Sequence, residues 1–328
     1  MNRILTTTLG LILASVFGVV SLARAVDQTP GQALEIAPPV LNLKANPGET
    51  INTTINLRDI SSSALQVTGT VDDFTANGED GVPKILLDAN EPTPYSIKSW
   101  VQPLSKLTLK PRQIEALPVV IKVPANASPG GYYGVIRFTA TPPGMESSGV
   151  SLSASLGALV FIRVNGAANE SLVFDAFYAS KTNKDESSWL FEEQPITFNQ
   201  RIKNNGNVYE QPTGQIAVRD MFGNLVANVN VNLERRSILP GTTRRLDQPL
   251  DKSNIGDRIL FGLYHAKLVL NYGESNKQIT SEISFWVIPW RLIVLVLAVI
   301  IVVAIAGRVA MKRYTESVVG KSRGTRRR

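Results

Sequence analysis

The chain has 328 residues, 44% of them apolar, with no cysteine, a single histidine and a formal charge of +7. One imidazole, His265, puts Ser-His-Asp and Cys-His catalysis and multi-histidine zinc sites out of reach, and the missing cysteine removes a disulfide framework and lipid attachment at an N-terminal Cys. The positive charge belongs to the ends: without Arg3, Arg24, Arg291, Arg308 and the seven cations of 312–328, 23 basic residues face 26 acidic ones, and a region of net charge near −3 is not a nucleic-acid binder.

In chain order, residues 1–25 come first. Arg3, an uncharged stretch from Ile4 to Leu22 and the sequence Ala23-Arg24-Ala25 have the order of a cleavable secretory signal peptide. From 26 to 287 no long helical period occurs, and short alternating runs follow one another. Ile51, Thr53, Ile55 and Leu57 alternate with Asn52, Thr54 and Asn56, and Val150, Leu152, Ala154 and Leu156 alternate with serines. A period of two with one apolar face is a half-buried strand. Similar runs at 65–71, 119–123, 135–140, 196–202, 229–233 and 279–287, separated by Pro, Gly, Asn and Asp, predict antiparallel sandwiches.

A weak internal repeat divides this region. Each half has a strand, a polar turn, a strand, a Pro-containing turn and a late apolar strand opened by Gly and Tyr (PGGYYGVIRF, FGLYHAKLVL). The expected fold is all-β, with two tandem immunoglobulin-like sandwiches at 26–165 and 166–287 meeting near Asn165-Gly166-Ala167-Ala168, and the Gly-Tyr openings suggest tyrosine corners. His265 falls on a strand whose neighbours Ala266, Leu268 and Leu270 form the apolar face, which leaves the imidazole on the solvated side.

Residues 288–311 form the last element. An almost uninterrupted apolar run of about 20 residues crosses a ~30 Å hydrocarbon layer as a helix. Trp286, Trp290 and Arg291 before it, and Lys312 and Arg313 after it, stand where interfacial anchors belong. The basic tail 312–328 places the C-terminus in the cytoplasm, the sandwiches outside and the whole as a single-pass protein of the cell membrane.

ANPGET at 45–50, FTANGEDG at 74–81, LTLKPRQ at 107–113 and VPANASPGGYYGVIRF at 123–138, within this architecture, resemble the WxL-interacting protein family. Thr75, Asn77 and Gly78 match that family's Thr-Asn-x-Asn-Gly-like segment. The resemblance implies a peptidoglycan-binding first domain and a second domain that contacts another surface or host protein. The second domain departs more from the family.

Asp72, Asp73, Phe74, Thr75, Asn77, Gly78, Glu79 and Asp80 form the densest acidic segment, read as a binding loop. Its spacing matches no calcium loop, so no metal or other cofactor is expected, and a plain Asn/Gly/Asp turn explains it equally well. As a peptidoglycan site it needs an aromatic face, for which Phe74 or Trp100 is the candidate, although Phe74 suits a core as readily. Trp189, in a charged stretch, is either an interaction residue or a cap on the sandwich. ILPGTT lacks the final Gly of a sortase motif and lies far before the helix. Asn52, Asn126 and Asn169 head N-x-[ST] triplets that carry no argument in a cysteine-free, bacterial-type chain.

The leading expectation is a non-catalytic surface scaffold whose partners are the lipid bilayer, peptidoglycan and another surface protein. The alternative is an envelope or pilus assembly factor resembling two-domain chaperones that offer a sheet edge to a client. A carboxylate-dependent wall hydrolase comes third, because Glu192 and Glu193 are adjacent and point apart on a strand.

Overall fold

The computed structural model describes residues 34–87, 93–143, 154–182 and 184–324, with side chains to 313. The signal-peptide expectation at 1–25 and the alternating residues Val150 and Leu152 lie outside the described residues. The first unit contains β1 (Leu34–Ala37), β2 (Val40–Ala45), β3 (Thr50–Asp59), β4 (Leu65–Asn77), β5 (Val82–Leu86), β6 (Leu107–Leu109), β7 (Ile114–Lys122), β8 (Gly130–Thr141) and β9 (Ala154–Val164). The second contains β10 (Leu172–Lys181), β11 (Leu190–Phe191), β12 (Ile196–Asn204), β13 (Thr213–Asp220), β14 (Leu225–Val231), β15 (Thr243–Leu250), a short helix α1 (Lys252–Ile255), β16 (Gly262–Tyr272) and β17 (Lys277–Val287). Helix α2 (Trp290–Gly324) is the last described element.

Both units are two-sheet sandwiches, as the alternation predicts. In the first, β1-β3-β7 faces β2-β9-β8-β4-β5, with β6 on β4; in the second, β10-β12-β15 faces β11-β17-β16-β13-β14. Period two maps onto burial almost residue by residue. In β16, Tyr264, Ala266, Leu268 and Leu270 are buried, while His265, on the opposite face, shares a hydrogen bond of 2.9 Å with Ser284. The first core gathers Ile55, Leu57, Ile121, Phe138 and Ile162, and the second Phe198, Ile202, Ile216, Leu268 and Phe285. The late-strand tyrosines turn back on their own loops. Tyr132 Oη donates to the Ser128 carbonyl at 3.1 Å, and Tyr264 Oη accepts the Phe261 amide at 3.0 Å.

Pro38-Pro39 makes the chain change sheets. Upstream of it β1 pairs with β3, and downstream β2 runs parallel to β9. Two successive residues without N–H groups cannot continue either ladder.

The acidic segment is not a loop. β4 runs unbroken through Asp72–Asn77, paired with β8 and then with β5, and only Gly78–Gly81 turns, with both glycines at positive φ. Asp72 accepts from Arg137 Nε at 2.8 Å, and Asp73 is buried beside Thr93 N (3.3 Å) and Lys98 Nζ (3.8 Å). Partnered carboxylates are compatible with a strand, and partners 20 to 65 residues away are invisible to local composition.

Among the described residues one helix is long and apolar enough to cross a membrane. Its apolar span, Trp290–Arg313, has 24 residues and is about 36 Å long. It starts two residues later than the expected 288, after Pro289, and the helix continues into the basic tail as far as Gly324.

Candidate binding edge and inter-sandwich cleft

The two sandwiches meet through three sets of contacts. The first is apolar. Phe74, Tyr133, Val135 and Phe161, on the outer face of the β4-β8-β9 sheet, pack with Leu239 and Tyr209 of the second unit. Phe161 and Tyr209 are 4.8 Å apart between ring centroids, and Phe74 lies 5.1 Å from Tyr133. Burial pushes the Tyr209 hydroxyl up to about 12. The second set is backbone docking. Gly131 N donates to the Asn207 carbonyl at 2.9 Å, and a Cβ at Gly131 would stand 2.9 Å from Tyr209 N, so the approach needs glycine.

The third set is ionic. Arg163, on β9, pairs with Glu170 and lies 3.4 Å from Glu274, which also binds Lys44 Nζ at 2.6 Å. Burial opposes charge on Glu170, but the Glu274 amide and Arg163 outweigh it and hold its pKa below the ordinary value. Glu210, buried beside them, behaves oppositely. Burial, reinforced by the Glu170 charge, raises it to about 7 against Arg163, the Gly273 amide and Lys277.

The segment marked in the sequence as a binding loop forms part of this junction. Glu79 makes a bidentate pair with Arg201 of β12, and its carbonyl accepts the Arg245 amide at 2.8 Å. The Asp80 carbonyl accepts from Arg244 at 3.2 Å. Asn77, Gly78 and Asp80 are exposed, and Thr75 is half-buried. Phe74 is 3% exposed and Trp100, against Tyr132 at 4.4 Å, is 6% exposed. Trp100 belongs to the first core and Phe74 to the junction cluster, so Trp100 offers no face to a sugar ring and Phe74 only what it contributes to the cavity wall beside the junction.

A cavity of about 650 Å³ opens beside the junction, between the β2/β9 face and residues 234–244. Phe74, Leu159, Phe161 and Leu239 form its apolar side, and Arg236 and Arg244 its basic side. No carboxylate among the described residues forms a salt bridge with Arg244, although the nearby Asp80 charge favours its cation. Nη1 donates to the Ser237 carbonyl at 2.7 Å, while the buried Nε has no partner, and burial together with Arg236 lowers its pKa.

β9 is covered on one side for only half its length. β8 pairs with all of Ala154–Val164, but β2 pairs only with Leu159–Val164. Leu159 N donates to the Pro39 carbonyl at 2.9 Å, so by strand alternation the N–H and C=O groups of Ser155 and Gly157 point to the same side. No described strand pairs there. The sheet switch at Pro38-Pro39 removes the N-terminal segment that would otherwise cover this edge. Sequence reasoning missed the edge because an uncovered ladder is a property of pairing, not of composition; the two prolines were its only trace.

Of the other singled-out residues, Trp189 is exposed. Trp286, Trp290 and Arg291 gather at the start of α2, where the Arg291 guanidinium lies 5.7 Å from the Trp290 ring centroid and 3.1 Å from Glu192. Lys312 and Arg313 close the apolar span at its other end.

Fold and junction define a two-sandwich protein with a C-terminal apolar helix and, on β9, a half-covered sheet edge. No family model and no curated protein matches the chain. Among solved structures it is similar to the YadV chaperone (11% identity, TM-score 0.35, covering 77% of this chain and 99% of that one). It is also similar to the class 5 fimbriae chaperone CfaA (15%, 0.38, 76% and 98%) and the E. coli chaperone DraB (17%, 0.35, 77% and 98%).

Proposed function

We propose that this chain is a non-catalytic, membrane-anchored assembly or scaffold factor that receives an extended segment of another envelope or surface protein on the free half of β9. The observation that carries this reading is the half-covered strand. Backbone groups of Ser155 and Gly157 are directed to a side that β2 leaves vacant, and such an edge is completed by adding a strand. Leu159, the first residue that β2 covers, also lines the cavity, which gives side chains of the incoming segment an apolar recess with a basic rim. The helix holds the sandwiches on the outer membrane face, with the cationic tail inside. Wall contact through the first sandwich, the expectation drawn from family resemblance, lacks aromatic platforms at Phe74 and Trp100 and ranks behind strand capture.

A photo-crosslinking amino acid at Leu156 of the full chain, in its host cells, tests the reading. One discrete envelope protein is expected in the adduct, and Ser155→Pro, which removes an edge-directed N–H without touching the β8 ladder, should abolish it. An adduct unaffected by Ser155→Pro, or no adduct, would overturn strand capture.

A further inference from the structure

One end of the second sandwich is unusually apolar. Trp189 is 68% exposed, Phe222 80%, Ile259 68% and Phe261 60%, and Trp286 and Trp290 are exposed beside them. These residues come from separate parts of the sequence, but the register gathers them. Gly262 and Trp189 reach the end of β17, through the Gly262–Val287 pairing and the hydrogen bond from Trp286 N to the Trp189 carbonyl. Asp220 pairs with Tyr264 and Arg219 with Leu225, which brings the β13–β14 turn bearing Phe222 to that end. Met221 lies against Gly262. This is the end from which α2 leaves. The opposite end carries Glu210, Gly273 and the junction with the first sandwich.

We infer that this end is a second membrane contact, a ring of turns seated in the headgroup layer around the point where the helix enters. The inference rests on the reading of α2 as a membrane span. Only Ile288 and Pro289 separate β17 from α2, and the link is folded, with Trp290 N donating to the Ile288 carbonyl at 2.8 Å, so it falls short of the ~11 Å that three extended residue steps would span; the polar layer of one leaflet is about 5–8 Å thick. The link is also braced, since Ile288 N donates to the Phe191 carbonyl at 2.8 Å and Arg291 pairs with Glu192. The sandwich therefore cannot stand clear of the bilayer, and aromatic side chains at that depth favour the interface. Arg258, Lys252 and Arg291 are matched at this end by Glu192, Glu193, Asp257 and Asp220. The contact is thus apolar and aromatic rather than electrostatic, and needs no anionic lipid.

The absence of cysteine makes the test direct. Full-length Phe222→Cys and Phe261→Cys chains, labelled with a polarity-sensitive fluorophore, are reconstituted in phosphatidylcholine vesicles containing headgroup-level or deep nitroxide quenchers. Ala304→Cys in mid-helix and Asn126→Cys in the first sandwich serve as references. Quenching at 222 and 261 by the shallow probe, unchanged in 0.5 M salt, is expected, with 304 quenched by the deep probe and 126 by neither. If 304 is quenched while 222 and 261 report water, the second contact is wrong and the span stands. Blue-shifted but unquenched labels at 222 and 261 would mean that protein covers this end, which also overturns the inference. If 304 is unquenched, span and contact fall together.

Discussion

Arg163 and Glu210 show how much of the junction rests on single charges. Arg163→Ala leaves Glu170 buried without its cation, an arrangement that costs about 3 kcal/mol; urea titration of the full chain in detergent should show that loss. Glu210 responds to pH in a defined direction. Its folded pKa, about 7, lies above the ordinary 4.5, so the native state holds the proton more tightly, and this group's contribution declines as pH rises from 4.5 through 7. Glu210→Gln should remove most of that decline and stabilise the protein near pH 7.5 by about 2 kcal/mol, with the screening of a partly wet cleft allowed for. Thermal melts of both chains between about pH 5 and 7.5 check it. Neither residue stood out in the sequence, because Arg163 becomes special only when Glu170 and Glu274 are folded against it. Asp72 and Asp73 stood out for the wrong reason, since carboxylates whose cations lie far along the chain, Arg137 on β8 and Lys98 in a turn, look unpaired in one dimension.

At the level of strands the sequence was far more legible. Period two in β3, β12, β16 and β17 marks the buried face directly, because a sandwich strand has one wet and one dry side. The limit was β4, where Asp72–Asn77 continue a central strand under a composition that resembles a turn. Ends and partners were less legible than existence. Nothing local says that β2 stops covering β9 at Leu159, or that β11 joins β17 in parallel. Gly214 illustrates a pairing constraint of this kind. A Cβ there would collide with the Val269 carbonyl oxygen on the neighbouring strand, so Gly214→Ala should destabilise the second sandwich by about 3 kcal/mol, read as a lowered melting temperature. Gly223→Ala, at a turn with open space around it but positive φ, should cost about 1 kcal/mol.

On the scale of the whole molecule, the first sandwich sits on one end of the second, and the helix leaves from the other. The expected halves and the terminal helix follow from local pattern, the weak repeat and the long apolar run, whereas the stacking depends on the Phe161–Tyr209 contact, the Arg163 cluster and the Glu79–Arg201 pair. Coupling through these contacts should make the two sandwiches unfold in one transition, and Arg163→Ala should split it into two in calorimetry. The stacking also sets a mechanical property. The second sandwich is entered at Leu172, next to the junction, and left at Val287, next to the helix, so a load between a segment bound on β9 as proposed and a membrane crossed by α2 would pull its first and last strands from opposite ends. Pulled that way, the eleven register pairs of β16 and β17 are sheared together instead of being opened one by one. A tether of this geometry holds under tension that would unzip a hairpin.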